Sequence, residues 1–253
     1  MPPATRGRGR LRLDQLLVDR GLAESRARAQ ALIMAGLVFS GDRRLDKPGM
    51  LVPEDMALAV RGRDHPWVSR GGLKLAHALD RFGIDPAGLV CLDVGASTGG
   101  FTDVLLTRDA ARVYAVDVGR GQLAWKLRVD PRVNVLERVN VRDLTRAVIP
   151  EPIDLVVCDV SFISLTVALS AALPLAAPSA RLVALIKPQF EAGRQQVGKG
   201  GIVRDPEARR QVRERISAWL SAQPGWQVLG LIDSPVTGAD GNVEYLIAAI
   251  RRE

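Results

Sequence analysis

The sequence predicts an α/β protein: a doubly wound, seven-stranded sheet whose last strand is antiparallel, preceded by a small α+β module. Three observations predict it. From residue 69 onward, short apolar runs alternate with helix-like periodicity, which calls for parallel strands joined by crossover helices. The last two apolar runs, 228–232 and 245–250, are joined by the turn-rich DSPVTGADGN with no helix between them, so they form a hairpin. Before residue 61 the order differs: two short helical patterns and then brief strands.

Taken in order, residues 1–10 (MPPATRGRGR) read as a disordered basic tail, and with no apolar stretch behind it this is not a secretory signal. Residues 11–60 form the module. A helix opens within 11–16, with Leu13, Leu16 and Leu17 on one face, and ends at Gly21. Ser25 caps a second helix with Ala29, Leu32 and Ile33 inward and Arg28 outward, and Gly36 stops it. Short strands follow around the turns Ser40-Gly41-Asp42 and Lys47-Pro48-Gly49, and 56–60 is another. Residues 61–68, rich in Gly, Arg and Pro, read as a linker in which Trp67 is an anchor against a domain surface.

The second domain covers 69–253. A helix runs from 69 through 82, and the strands are 89–94, 113–118, 133–138, 155–159, 182–187, 226–232 and 245–251. Helices between them begin near Gly100, Gln122, Leu165 and Pro206. The apolar stretch 165–186 is long enough to span a bilayer, but Pro174, Pro178 and Arg181 break it into a helix, a turn and a strand.

Composition sets further bounds. With 25% charged and 47% hydrophobic residues in 253, the chain is an ordinary globular protein. Cys91 and Cys158 both lie in apolar runs, so they read as buried, reduced thiols of a cytoplasmic protein. Residues 1–70 carry 13 Lys and Arg against 8 Asp and Glu, so most of the formal +7 sits on the first quarter of the chain. A small basic module attracts a polyanion, although a solvated surface would carry the same charges.

The sharpest local signal is LDVGASTGGFT, residues 92–102, between a strand and a helix. Gly95, Gly99 and Gly100 let backbone approach a ligand, with Ser97, Thr98 and Phe101 around them. The spacing is neither the dinucleotide fingerprint nor a P-loop. Asp93 inside it would repel a pyrophosphate and suits an ammonium. Asp117, ending the second strand, can accept both hydroxyls of a ribose. Asp143, after the third strand, can take the exocyclic amine of an adenine. Ribose, amine and no phosphate point to S-adenosylmethionine. At the ends of the fourth and fifth strands stand Asp159 and Lys187, where such sheets place reacting groups. A lysine ending an apolar strand needs a partner, and Asp159 can be that partner.

The chain resembles, along its whole length, the TlyA-type 2′-O-methyltransferases of ribosomal RNA, once described as haemolysins. LRLDQLLVDRGLAESRARAQALIMAGLV is similar to an S4 RNA-binding module. VSRGGLKL, LDVGASTGGFTD, AVDVGRGQL, CDVSFISL, LIKPQFE, GKGGIVRDP and NVEYL resemble, in order, the motifs of an FtsJ-type (RrmJ-like) methyltransferase. His65-Pro66-Trp67-Val68 stands where the family carries Arg-x-Trp-Val, and the Arg is missing. The resemblance implies a Rossmann-like class I methyltransferase fold, S-adenosylmethionine as methyl donor, and a cytidine ribose of ribosomal RNA as target. It also implies a Lys-Asp-Lys-Glu tetrad, carried onto Lys74, Asp159, Lys187 and Glu244, of which only the central pair is read from the residues alone. No metal ligand is assigned, and a monomer is the favoured state.

Two roles stay open for Lys187: removing the hydroxyl proton as a neutral amine, or steering the hydroxyl as a cation. On the module, Arg12, Arg20, Arg26, Arg28, Arg43, Arg44 and Lys47 are candidate phosphate contacts. Residues 11–60 hold only Phe39 among aromatics, so reading of RNA shape is expected over base stacking. Loop 193–201, with Arg194 and Lys199, is a candidate for closing over the target nucleotide. The competing functions are a non-catalytic RNA-binding or ribosome-assembly factor and a membrane-lytic haemolysin.

Overall fold

The computed structural model describes residues 9–23, 25–61, 65–238 and 241–252. The first eight residues of the basic tail lie outside the described residues. The chain divides after Pro66 into two compact units.

In the first unit, β1 (Arg10–Arg12) pairs antiparallel with β4 (Leu51–Pro53), Leu11 opposite Val52. The residues expected to open a helix at 11 are therefore a strand, and α1 (Leu13–Asp19) starts two residues later. Period-2 exposure decides it: Arg10 and Arg12 face out while Leu11 turns inward. Helix α2 (Arg26–Met34) is capped as expected, the Ser25 Oγ accepting the Arg28 N–H at 3.2 Å. Strand β2 (Val38–Ser40) pairs with β3 (Arg43–Arg44) and with β5 (Ala59–Val60), so the strand expected at 56–60 is only its last two residues. Leu13, Leu17, Ala29, Ile33 and Val38 are fully buried and form this unit's own core.

The second unit begins with α3 (Gly71–Phe82), which ends at Gly83 in the left-handed conformation. Then follow β6 (Val90–Val94), α4 (Gly100–Thr107), β7 (Arg112–Asp117), α5 (Trp125–Arg128) and β8 (Val133–Glu137). Next come β9 (Ile153–Cys158), α6 (Leu165–Ala172), β10 (Ala176–Ile186) and α7 (Pro188–Glu191). Helix α8 (Pro206–Ser221) leads to the hairpin of β11 (Trp226–Asp233) and β12 (Tyr245–Arg251). The sheet order is β11-β12-β10-β9-β6-β7-β8, with β12 antiparallel to both neighbours and inserted between them.

Three details differ from expectation. The helix expected near Gln122 starts at Trp125 and makes a single turn. Strand β10 begins at Ala176, and Pro178 is tolerated because the register slips between Ala176 and Arg181, where no ladder bond is lost. Lys187 does not end that strand; it is the residue before α7.

Alternate residues of the strands feed two cores. Leu92, Val94, Val156 and Leu182 pack with α6 and α8, while Cys91, Leu155, Val157 and Val183 pack with α3 and α4. Each such side chain contributes about 1.5–3 kcal/mol on burial. Both cysteines are free and fully buried, and burial pushes both thiols up, so they are inert. No helix among the described residues is long and apolar enough to cross a membrane.

Candidate active site

Registers bring the chemistry to one edge. Val94 pairs with Val116 and Cys158, and Ile186 pairs with Tyr245. The residues just beyond these positions, Gly95, Asp117, Asp159, Lys187 and Glu244, therefore share the carboxyl edge of the parallel strands.

Gly95, at φ +86°, turns the chain out of β6, and a Cβ there would lie 2.5 Å from the Asp159 carbonyl oxygen. Gly99, at φ +95°, has no room either: a Cβ would collide with the Leu123 and Leu127 side chains. Gly95 thins the wall of a trough built from two adjoining cavities, whereas Gly99 lines neither and makes room for the buried Leu123 and Leu127. One, of about 350 Å³, is lined by Ser69, Lys74, Thr98, Phe101 and Lys187 among others. The second, of about 420 Å³, is lined by Val116, Asp117, Asn140, Val141 and Ile163 among others. Gly95, Ser97, Asp159 and Ser161 belong to both.

Asp93 is fully buried and lines neither cavity; it reaches the site only from behind the glycine turn. Its Oδ2 accepts the Thr102 hydroxyl at 2.6 Å, and its Oδ1 has no hydrogen-bond partner among the described residues. Burial, with the Asp159 and Asp117 charges adding to it, pushes its carboxyl up to about 7, against the opposing Thr102 bond. Asp117 is preorganised differently: Oδ2 accepts the Ser97 N–H at 2.8 Å and Oδ1 the Gly119 N–H at 2.7 Å. The carboxylate keeps lone pairs for two hydroxyls. Asp143 is not brought to the trough lining; it lies exposed at the end of the turn Val141–Asp143, and Asn140 and Val141 line the wall.

The four ionic residues form two pairs. Lys187 Nζ lies 2.7 Å from Asp159 Oδ1, an ion pair without hydrogen-bond alignment, and donates to Ser161 Oγ at 2.9 Å. Lys74 Nζ donates to Glu244 Oε2 at 2.5 Å, both side chains being nearly buried. Lys74, Asp159 and Lys187 line the same cavity, and Glu244 stands behind Lys74. Gly238 closes over it, since a Cβ there would meet Glu244 Oε1.

Residues that sequence reasoning missed are Thr102, Ser161, Gln122 and Phe162. Gln122 accepts the Ser97 hydroxyl at 3.2 Å. Phe162 is 91% exposed at φ +66°, its ring 5.0 Å from that of Phe190. Only Phe162 carried a readable signal: an aromatic just after a strand-end acid.

On the first unit, the seven basic candidates separate. Arg12 and Arg26 are bound to the buried Asp14, at 2.9 and 3.3 Å, and Arg20 donates to the Met56 and Glu54 carbonyls. Arg43, Arg44 and Lys47 are exposed and Arg28 half-buried, and none of these four makes a side-chain bond among the described residues. Loop 193–201 carries a 3₁₀ turn at Arg194–Gln196, and its end is tied down by Asn242 Nδ2, which donates to the Gly201 carbonyl at 3.0 Å.

This sheet order, with a glycine turn after β6 and an acid ending β7, is that of an S-adenosylmethionine-dependent methyltransferase. The comparisons agree. Residues 67–251 match the FtsJ-like methyltransferase family and residues 11–58 the S4 domain. The 16S/23S rRNA (cytidine-2′-O)-methyltransferase TlyA of Mycobacterium tuberculosis is 51% identical over 94% of this chain and 89% of its own. The 23S rRNA (cytidine-2′-O)-methyltransferase TlyA of Campylobacter jejuni is 36% identical over 82% and 81%. A solved Streptococcus thermophilus chain that carries a hemolysin name superposes with TM-score 0.77 at 41% identity, covering 98% of this chain and 90% of that one. The chain belongs to the TlyA family of FtsJ-like methyltransferases with an S4 domain.

Proposed function

We propose that this chain transfers a methyl group from S-adenosylmethionine to the 2′-oxygen of a cytidine ribose in ribosomal RNA. The observation that carries the reading is one cavity lined by Lys74, Asp159 and Lys187, with Glu244 behind, that adjoins the trough over Asp93 and Asp117. The residues fit the donor: Asp117 for its ribose, Gly95 for close approach, and the buried Asp93 charge behind the glycine turn for its ammonium. When bound, the donor supplies an electrophilic methyl on a sulfonium.

A ribose hydroxyl is a poor nucleophile, so most of the rate enhancement comes from fixing its oxygen in line with the methyl. Lys187, held by Asp159 and Ser161, orients that oxygen. A bound donor would give up its methyl to that oxygen and leave as the neutral thioether, and the hydroxyl proton would leave toward the Lys187–Asp159 pair. Lys74, locked by Glu244, holds its ammonium at a fixed place in the cavity wall. Phe162, exposed beside Ser161, offers a face on which the target base stacks.

Residues 11–60 act as the RNA-binding module, 61–68 as the linker and 69–253 as the catalytic domain. The free cations Arg28, Arg43, Arg44 and Lys47 carry most of the module's phosphate contacts, while Arg12, Arg20 and Arg26 also hold its fold. Loop 193–201 covers the target nucleotide. The protein works as a monomer in the cytoplasm. Mapping 2′-O-methyl groups in ribosomal RNA from cells with and without the gene tests the reading: cytidine sites that vanish with the gene support it, and an unchanged map refutes it.

A further inference from the structure

Helix α8 carries two arginines without an ion-pair partner among the described residues. Its two carboxylates, Glu207 and Glu214, both bind Arg210 at 2.5 Å. Arg215 lies 3.6 Å from Glu191. Arg209 and Arg213, four residues apart and so on one helix face, pair with no carboxylate among the described residues. The Nε of each is shielded from solvent and without a hydrogen-bond partner among those residues. Both are held in place. The Arg213 guanidinium lies 4.7 Å over the buried Tyr245 ring, and Arg209 Nη2 reaches the Arg204 carbonyl at 3.5 Å. Arg204 itself is exposed and its side chain makes no bond among the described residues.

These arginines flank the catalytic edge. Tyr245 follows Glu244 and pairs with Ile186, the residue before Lys187. Val203, just before Arg204, donates its N–H to Asn242 Oδ1 at 3.2 Å, two residues ahead of Glu244. None of the three lines the trough over Asp93 and Asp117. They are therefore not part of the donor site.

Arg209 and Arg213 stand one helical turn apart with no ion-pair partner among the described residues, Arg204 joins them through its carbonyl, and the nearest acids, Asp205 and Glu214, are bonded to the Glu207 N–H and to Arg210. A guanidinium stacked on an aromatic ring keeps its N–H edge free and fixed, a geometry that matches phosphate. We infer that Arg204, Arg209 and Arg213 form a phosphate-binding surface that holds the RNA backbone beside the target ribose. The inference rests on the function proposed above and adds a second RNA contact, on the catalytic unit and independent of the S4 module. Such contacts set position and register without reading sequence.

The test is the salt dependence of binding to protein-free ribosomal RNA, using the full chain and its R209Q/R213Q variant. Losing two phosphate contacts lowers the slope of log affinity against log salt by about 1.4–1.8. The R209K/R213K variant restores most of that slope, and affinity for S-adenosylmethionine stays within twofold in both. An unchanged slope in the glutamine variant overturns the inference, as does a slope that lysine fails to restore. Should the glutamine variant lose donor binding, R204Q decides alone, because Arg204 is exposed and stacks on no ring among the described residues: a drop of about 0.7–0.9 supports the surface and no drop overturns it. Failure of the wild-type chain to methylate ribosomal RNA would sink the proposed function and leave this slope measurement standing.

Discussion

Thr102 Oγ1 donates to Asp93 Oδ2 at 2.6 Å and so commits one carboxylate oxygen, leaving the other buried and without a hydrogen-bond partner among the described residues. The bond links the first helical turn of α4 to the centre of the sheet.

That arrangement makes donor affinity depend on pH. With its carboxyl pushed up to about 7, Asp93 is largely protonated at pH 6 in the free protein and ionised at pH 8. Binding of the cationic donor should tighten as pH rises through 7, by up to about tenfold per pH unit below the midpoint. Because the folded value lies above the unfolded one, the free protein should lose stability from this group between about pH 4 and 7. Calorimetric titrations check both trends, and Asp93→Asn should flatten them while weakening binding.

The first unit should respond to acid in the opposite sense. Arg12 holds the buried Asp14 carboxyl well below the usual carboxylate range, with Gln30 and Arg26 adding to it against burial. A depressed value stabilises the fold above about pH 4 and is lost as pH falls through it. Acid unfolding of the S4 unit, followed by hydrogen exchange at Leu13 and Ile33, should shift to higher pH in Asp14→Asn.

Gly95→Ala should abolish donor binding. The substitution must hold φ near +86° and place a Cβ 2.5 Å from the Asp159 carbonyl. Backbone strain of this kind costs about 1–3 kcal/mol, and the displaced Asp159 also loosens Lys187. Denaturant melts and donor titrations read the two effects separately.

Lys187→Arg keeps a positive charge but cannot reproduce the 2.7 Å pairing with Asp159 and the Ser161 bond together. Turnover should fall by about 10²–10⁴-fold while donor affinity changes little. Ser161→Ala, which removes only the hydroxyl contact, should cost much less. Single-turnover rates at saturating donor distinguish these outcomes.

Most of the fold was legible because alternation of apolar runs is a direct readout of which faces are buried. The β11–β12 hairpin was legible from a connection too turn-rich for a helix. The short strands were harder: Arg10–Arg12 and Ala59–Val60 are defined by partners far along the chain, and two or three residues carry no period. Asp93, Asp117, Asp159 and Lys187 were legible from charge at strand ends, where packing does not explain it. Lys74 and Glu244 came only from the family resemblance, since a lysine in a helix and a glutamate before a strand look like surface residues until the fold pairs them. Asp143 shows the limit in the other direction: an acid after the third strand fits the pattern, yet the turn leaves it exposed and gives the wall to Asn140 and Val141. Arg12 and Arg26 read as free cations because nothing in their spacing reveals that Asp14 is buried between them.

The most direct test is transfer of a labelled methyl group to ribosomal subunits, with nuclease digestion to identify the labelled nucleoside. The account predicts label in 2′-O-methylcytidine for the wild-type chain and none for Lys187→Ala, with donor binding intact in both. Label on a base, or equal incorporation by the two proteins, would contradict it.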